Sequence, residues 1–174
     1  GISVAEHIRE NMISRGMQRR RMFYVPNGFD INRIQSRVDS ASIRQELGIA
    51  ADKIVFLTFG WEPITKGVDI VLEAFEILTR QCKNATLLLV GTEMMNNYVE
   101  AWEGGEAHEW LVLAAPREQV AEYYKASDVF ISASRSEGFP YSVAEAMGAN
   151  LPIISSDIPG VAWAKQAKGV LLFE

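Results

Sequence analysis

The sequence predicts an α/β protein built on a doubly wound parallel sheet, and three observations predict it. From residue 54 onward, short apolar runs alternate with segments of helical periodicity, a β-α unit repeated about five times. The apolar runs are β-branched and aliphatic with no polar alternation, as strands buried on both faces must be. Each connection is long enough to hold a crossover helix, which forces neighbouring strands to run parallel.

Taken in order, IVFLTF (54–59) is the first strand of that series. VDIVLEAFEIL (68–78) follows as a helix with Val71, Leu72, Phe75 and Leu78 on one face. TLLLVG (86–91) is a buried strand ending in glycine, and a less regular stretch runs on to Gly105. WLVL (110–113), a helix over REQVAEYYKAS (117–127) and DVFISAS (128–134) come next. A helix around SVAEAMG, the strand LPIISSD (151–157), a short helix at VAWAKQ and the strand GVLLF (169–173) complete the series.

The first 50 residues follow another pattern. Ser3 is placed to cap a helix carrying Val4, Ile8 and Met12 at i, i+4 and i+8. MFYV gives a short strand before the turn Pro26-Asn27-Gly28, and DSASIRQELG is a short helix stopped by Gly48. The expected organisation is residues 1–25 as the remnant of a preceding domain with its linker, and 26–174 as one sheet domain. A chain that begins at Gly1 and ends where a strand is closing is expected to be part of something longer.

Composition narrows the function. A net charge of −5 argues against non-specific nucleic-acid binding, and Arg19-Arg20-Arg21 reads as a solvated helix end. Cys82 is the single cysteine, so no internal disulfide can form; a reducing, cytoplasmic setting is the simpler expectation. With His7 and His108 far apart, no His/Cys metal site can be assembled, and no Asp-x-Asp pair is present. FGWEPITKG (59–67) is neither a G-x-G-x-x-G loop nor a phosphate-binding Walker loop, because Gly67 follows Lys66. There is no G-x-S-x-G elbow.

Ligands of a doubly wound sheet sit beyond the carboxyl ends of its strands, and three segments fall there. In the first, Gly60 and Lys66-Gly67 lead into the helix at Val68; Lys66 is either an exposed lysine or an anion ligand beside the first amides. In the second, SEGFPYSVAE (136–145), Ser142 and Glu145 fit a capping box. Alternatively, Gly138 admits a ligand to the backbone, amides near Tyr141, Ser142 and Val143 hold an anion, and Glu137 and Glu145 accept from sugar hydroxyls. In the third, Tyr123 and Tyr124 pack helix to sheet, while Ala114, Ala115 and Pro116 form apolar walls for a base.

Together, VPNGFD (25–30), KGVDIVLEAFEIL (66–78), LLLVG (87–91), YYKASDVFISAS (123–134) and EGFPYSVAEAMGANLPIISSDIPG (137–160) resemble the C-terminal domain of retaining glycosyltransferases of family four, with the GT-B fold. The likeness runs in order from Val25 to the end of the chain, and Glu137 and Glu145 stand at that family's E-x7-E spacing. It implies a Rossmann-like, donor-binding half of a hexosyltransferase of carbohydrate or polysaccharide biosynthesis. Glu145 would bond the ribose of a nucleotide diphosphate sugar, and Glu137, the catalytic carboxylate, would meet the donor sugar. Lys66 and the backbone of Gly138, Phe139, Pro140, Tyr141, Ser142 and Val143 would hold the diphosphate, with Gly60, Trp61, Ala114 and Ala115 around the nucleotide. No cofactor or metal is implied.

The acceptor, a glycan, a lipid-linked sugar or a small molecule, would meet the missing N-terminal domain, with peripheral membrane association in the full-length protein. This fragment alone would bind donor and transfer nothing. Three departures stand out. Trp61 occupies the place where the family carries an arginine, leaving Lys66, Arg117 or Arg135 to supply charge. Ala114 stands for a glycine, and the glutamate that follows the SDIPG-like segment is not found before Trp163. Two alternatives are another GT-B reaction, epimerase or phosphorylase, and a non-catalytic sugar-nucleotide module.

Overall fold

The computed structural model describes residues 1–103 and 108–174. The expected sheet is present. Six parallel strands, β3 (Ile54–Phe59), β4 (Ala85–Val90), β5 (Leu111–Ala114), β6 (Val129–Ser132), β7 (Ile153–Ser156) and β8 (Val170–Phe173), lie in the order β5-β4-β3-β6-β7-β8. The series runs outward from β3 to β5, then returns to the other side of β3 and runs outward again. The strand order therefore reverses between β3 and β6, where loops at the carboxyl ends diverge and leave a crevice.

Two apolar layers sandwich the sheet because alternate strand residues face opposite ways. Val55, Leu57, Phe59 and Phe130 pack under α5 (Ala121–Ala126) and α6 (Tyr141–Gly148). Leu87, Leu89 and Ala133 pack under α3 (Val68–Gln81) and α4 (Glu93–Glu103). The stretch after Gly91 is thus a helix where the sequence suggested irregular chain. Met95 and Val99 are its buried i, i+4 pair, set among Asn96 and Asn97, which are poor helix formers. Gly105 itself lies outside the described residues.

α2 (Ser40–Glu46) begins at Asp39, whose carboxylate accepts from the Ser42 amide at 2.9 Å. It ends at Gly48 in the left-handed conformation, with Ile49 N–H closing back onto the Arg44 carbonyl at 2.8 Å. The expected helix over 117–127 is cut to six residues, Ala121–Ala126, with no side-chain cap at Val120.

Within residues 1–25 lies a second, two-stranded sheet. β1 (Ile2–Ser3) pairs in parallel with β2 (Phe23–Tyr24), and α1 (Glu6–Ser14) lies on them. Ser3 does not cap α1. Its backbone belongs to β1, its hydroxyl donates to the Ala5 carbonyl at 2.7 Å, and Ala5 occupies the cap position. The Val4-Ile8-Met12 stripe has no buried member, and Ile8 instead reaches the backbone at Gly138. The arginine run is a surface turn in which Arg19 pairs with Glu10.

Candidate functional site

Two loops form the crevice. The first connects β3 to α3, and its last residue, Gly67, adopts a left-handed conformation at φ 65°. A Cβ there would strike the Ala133 carbonyl, so only glycine lets the loop lie flat on the end of β6. The second runs from Ala133 to α6. It rests on Gly160, where a Cβ would strike the carbonyl of Glu137. Two close backbone approaches therefore fix the positions of Lys66 and Glu137.

The two side chains meet. Lys66 Nζ donates to Glu137 Oε1 at 2.6 Å, and Ser134 Oγ donates to the same oxygen at 2.9 Å. Both side chains are largely shielded, at 24% and 14% exposure, so salt screens this ion pair less than a surface pair. Lys66 is accordingly not a free surface lysine.

The capping box does not form. Pro140 holds the cap position of α6 and offers no side-chain acceptor, while Ser142 is the second helical residue. The amides of Tyr141 and Ser142 have no acceptor within the helix, whereas Val143 N–H already reaches the Pro140 carbonyl at 3.2 Å. Glu145 turns away from the helix start and is 8% exposed. Its Oε2 accepts from the Tyr124 hydroxyl at 2.9 Å, with the Ser142 carbonyl 3.2 Å from that hydroxyl. Burial and the adjoining Glu145 carboxylate push the Tyr124 phenol far above its ordinary range, so it stays a donor.

Two adjoining clefts open over these groups. One, of about 260 Å³, is bounded by Lys66, Glu137, Phe139, Pro140, Tyr141 and Ser142, and the other, of about 250 Å³, by Arg33, Val90, Pro116, Arg117 and Tyr123. They share Phe59, Trp61, Val120 and Glu145. Trp61 stacks on Phe59 at 6.2 Å and presents a flat apolar wall. Val143 is fully buried in the core beneath the elbow. Gly60 is packed by Met95 and Val68 and borders neither cleft. Ala114 and Ala115 line neither cleft; their carbonyls accept from Gly91 N–H and the Tyr123 hydroxyl.

Of the two arginines suggested by sequence, Arg117 reaches the second cleft, anchored by Glu46 at 2.6 Å and Glu122 at 2.8 Å. Arg135 does not; Asp69 holds its guanidinium at 2.6 Å and lies well below the usual carboxylate range because of it. Arg33 borders the same cleft as Glu145, and sequence reasoning missed it, since nothing in NGFDINR marks its direction. The Tyr124 hydroxyl was likewise hidden behind a residue read purely as packing. Among the described residues no three His, Cys, Asp or Glu side chains converge as a metal site.

The sequence and the fold are similar to those of sugar-transferring proteins. The chain belongs to the family described as Glycosyl transferases group 1, whose model matches residues 39–168. It is 30% identical over 165 residues to the D-inositol 3-phosphate glycosyltransferase of Segniliparus rotundus, covering 85% of this chain and 35% of that protein. An uncharacterised glycosyltransferase of Methanocaldococcus jannaschii is 29% identical over 134 residues, covering 76% of this chain and 33% of that one. The chain thus spans about a third of the length of these curated relatives.

Among solved structures, HepE of Anabaena in complex with UDP and glucose superposes with a TM-score of 0.84 at 22% identity, over 99% of this chain and 48% of that one. A glycosyltransferase of Rickettsia africae gives 0.87 at 15% identity, with the same coverage. The fold is the Rossmann-like C-terminal half of a GT-B glycosyltransferase.

Proposed function

We propose that this chain is the donor-binding half of a retaining, metal-independent hexosyltransferase that takes a nucleoside diphosphate sugar. One observation carries the reading. Lys66, Glu137, Glu145 and the first amides of α6 converge on the crevice where strand order reverses. The Tyr124 bond leaves Glu145 oxygens to accept from ribose hydroxyls. Lys66 and the amides of Tyr141 and Ser142 receive the diphosphate. Glu137 stands at the donor sugar. Structures with this fold hold UDP and glucose, which supports a uridine donor.

In the reaction, the bond from the anomeric carbon to the β-phosphate oxygen breaks and a bond to an acceptor hydroxyl forms on the same face. The acceptor proton passes to the departing phosphate oxygen. Charge grows on the diphosphate as this happens, and Lys66 with the helix amides stabilises it in the transition state. The acceptor, a glycan, a lipid-linked sugar or a small molecule, also meets the other half of a GT-B enzyme. This chain alone therefore binds donor and transfers nothing. The setting is cytoplasmic, peripheral to a membrane where the acceptor is lipid-linked; no helix among the described residues is long and apolar enough to cross one.

Calorimetric titration of UDP, GDP and ADP into the chain tests the reading. Saturable binding of one of them, weakened about a hundredfold by Glu145→Ala, is the expected result, because two charge-assisted bonds to ribose are lost. An unchanged isotherm returns Glu145 to a purely structural partner of Tyr124. Turnover of UDP-glucose by the chain alone would overturn the claim that the second half is needed. Trp61 in place of an arginine favours a second reading, a binding module without catalysis, which full-length protein inert toward every donor that it binds would establish.

A further inference from the structure

A third cleft, of about 220 Å³, lies on the far side of Phe139, between the start of α1 and the elbow. Phe139 borders it as well as the Lys66 cleft, so one ring separates the two. The walls are aromatic. Phe139 stacks on Trp163 with ring centroids 4.9 Å apart and planes 20° from parallel, and Tyr24 also lines the cleft. Trp163 is 42% exposed, yet its indole is fixed, because Nε1 donates to the Gly160 carbonyl at 2.8 Å. A large ring that is both exposed and oriented is a platform rather than a core side chain.

The polar side chains that line it are His7, Tyr24 and Glu6, the last also holding Arg9 at 2.7 Å. No lysine or arginine lines the cleft. A phosphate would enter beside a carboxylate whose Arg9 partner lies off the wall and is shared with Glu10, whereas a sugar meets what it needs. Its C–H face packs on aromatic rings, and its hydroxyls donate to carboxylate and imidazole around the edge.

We propose that this cleft binds a neutral saccharide ring, stacked on the Phe139–Trp163 pair and hydrogen-bonded by His7 and Glu6. Binding itself is independent of the donor reading. Only the saccharide's part as the acceptor rests on it, since Phe139 sets this ring next to the sugar carried by the donor. The acceptor class is then an uncharged glycosyl unit, not a sugar phosphate.

Saturation-transfer NMR on the chain tests this, using the methyl α-glycosides of glucose, galactose, mannose and N-acetylglucosamine, with glucose 6-phosphate as the charged probe. At least one glycoside is expected to receive saturation on its ring protons, with glucose 6-phosphate about tenfold weaker or silent. Trp163→Leu reduces that affinity about tenfold and Trp163→Phe retains most of it, while UDP binding is the same in both variants. His7→Ala costs about threefold. Silence from all four glycosides, equal or stronger binding of glucose 6-phosphate, or indifference to Trp163→Leu would each overturn the proposal. Glycoside binding without UDP binding would sink the donor reading and leave this one standing; the converse result does the opposite.

Discussion

The two loops at the crevice have the same topological role and are each seated by a close backbone approach at a glycine, yet differ in the groups they carry. The loop ending at Gly67 follows the first strand of the series, lies on β6 through backbone contact, and carries one charged ligand candidate in Lys66. The elbow from Ala133 to Tyr141 follows the strand on the other side of the reversal. It carries a carboxylate, a glycine bend and two open amides, and is braced from below by Gly160. The elbow brings a carboxylate and backbone amides to the crevice, while the first loop brings Lys66 and the Trp61 ring. Backbone contact preserves geometry whatever the side chains do, so the first loop can change its chemistry without changing its place.

The largest effect should come from breaking that contact. Gly67→Ala forces a side chain into the left-handed region and against the Ala133 carbonyl. Strain and displacement together cost about 3 kcal/mol. The midpoint of thermal unfolding followed by circular dichroism should drop by roughly 6–12 °C. Because Lys66 and Glu137 would part, nucleotide affinity should also fall at temperatures where the variant is folded. A melting curve that matches the wild type would show that the two loops are not locked together.

How much of this was legible in sequence follows the same division. IVFLTF was readable as β3 to the residue, because an uninterrupted apolar run between turn signals leaves little else. The start of α3 and the stop at Gly48 were equally plain, one from i, i+3, i+4 spacing and one from a glycine at a helix end. α4 was missed although Met95, Tyr98, Val99 and Trp102 keep helical spacing, since the adjacent asparagines dilute the pattern. At the site, the residue types and order were visible, but their partners were not. The Lys66–Glu137 pair joins positions 71 residues apart, and the Glu145–Tyr124 bond spans 21. Local spacing favoured a capping box for Ser142 and Glu145; Pro140 at the cap and a buried tyrosine hydroxyl within reach defeated it.

The next effect separates the partners of the ion pair. Lys66→Met removes a cation from the diphosphate position and leaves Glu137 with Ser134 alone. UDP affinity should fall about tenfold, roughly one charge-assisted hydrogen bond. Glu137→Gln acts in the opposite direction: it releases Lys66 from its carboxylate, and UDP should bind about threefold more tightly. If both variants weaken UDP equally, the pair is a structural brace and not a ligand site in waiting.

The smallest effect is the most informative about the first loop. Trp61 sits on Phe59 at the boundary of both donor clefts, 41% exposed, so an arginine can replace it without opening the core. The guanidinium would stand near Lys66 and lend a second cation to the diphosphate, while losing one ring stack. These contributions oppose one another, and the bidentate contact to phosphate is the stronger. Trp61→Arg should therefore tighten UDP by about threefold to fivefold, with a steeper loss of affinity as salt is raised. UMP, which lacks the second phosphate, should gain nothing. An equal gain for UMP would mean that the arginine reads the base or ribose, and that Trp61 belongs to the nucleotide wall instead of standing in for a missing diphosphate ligand.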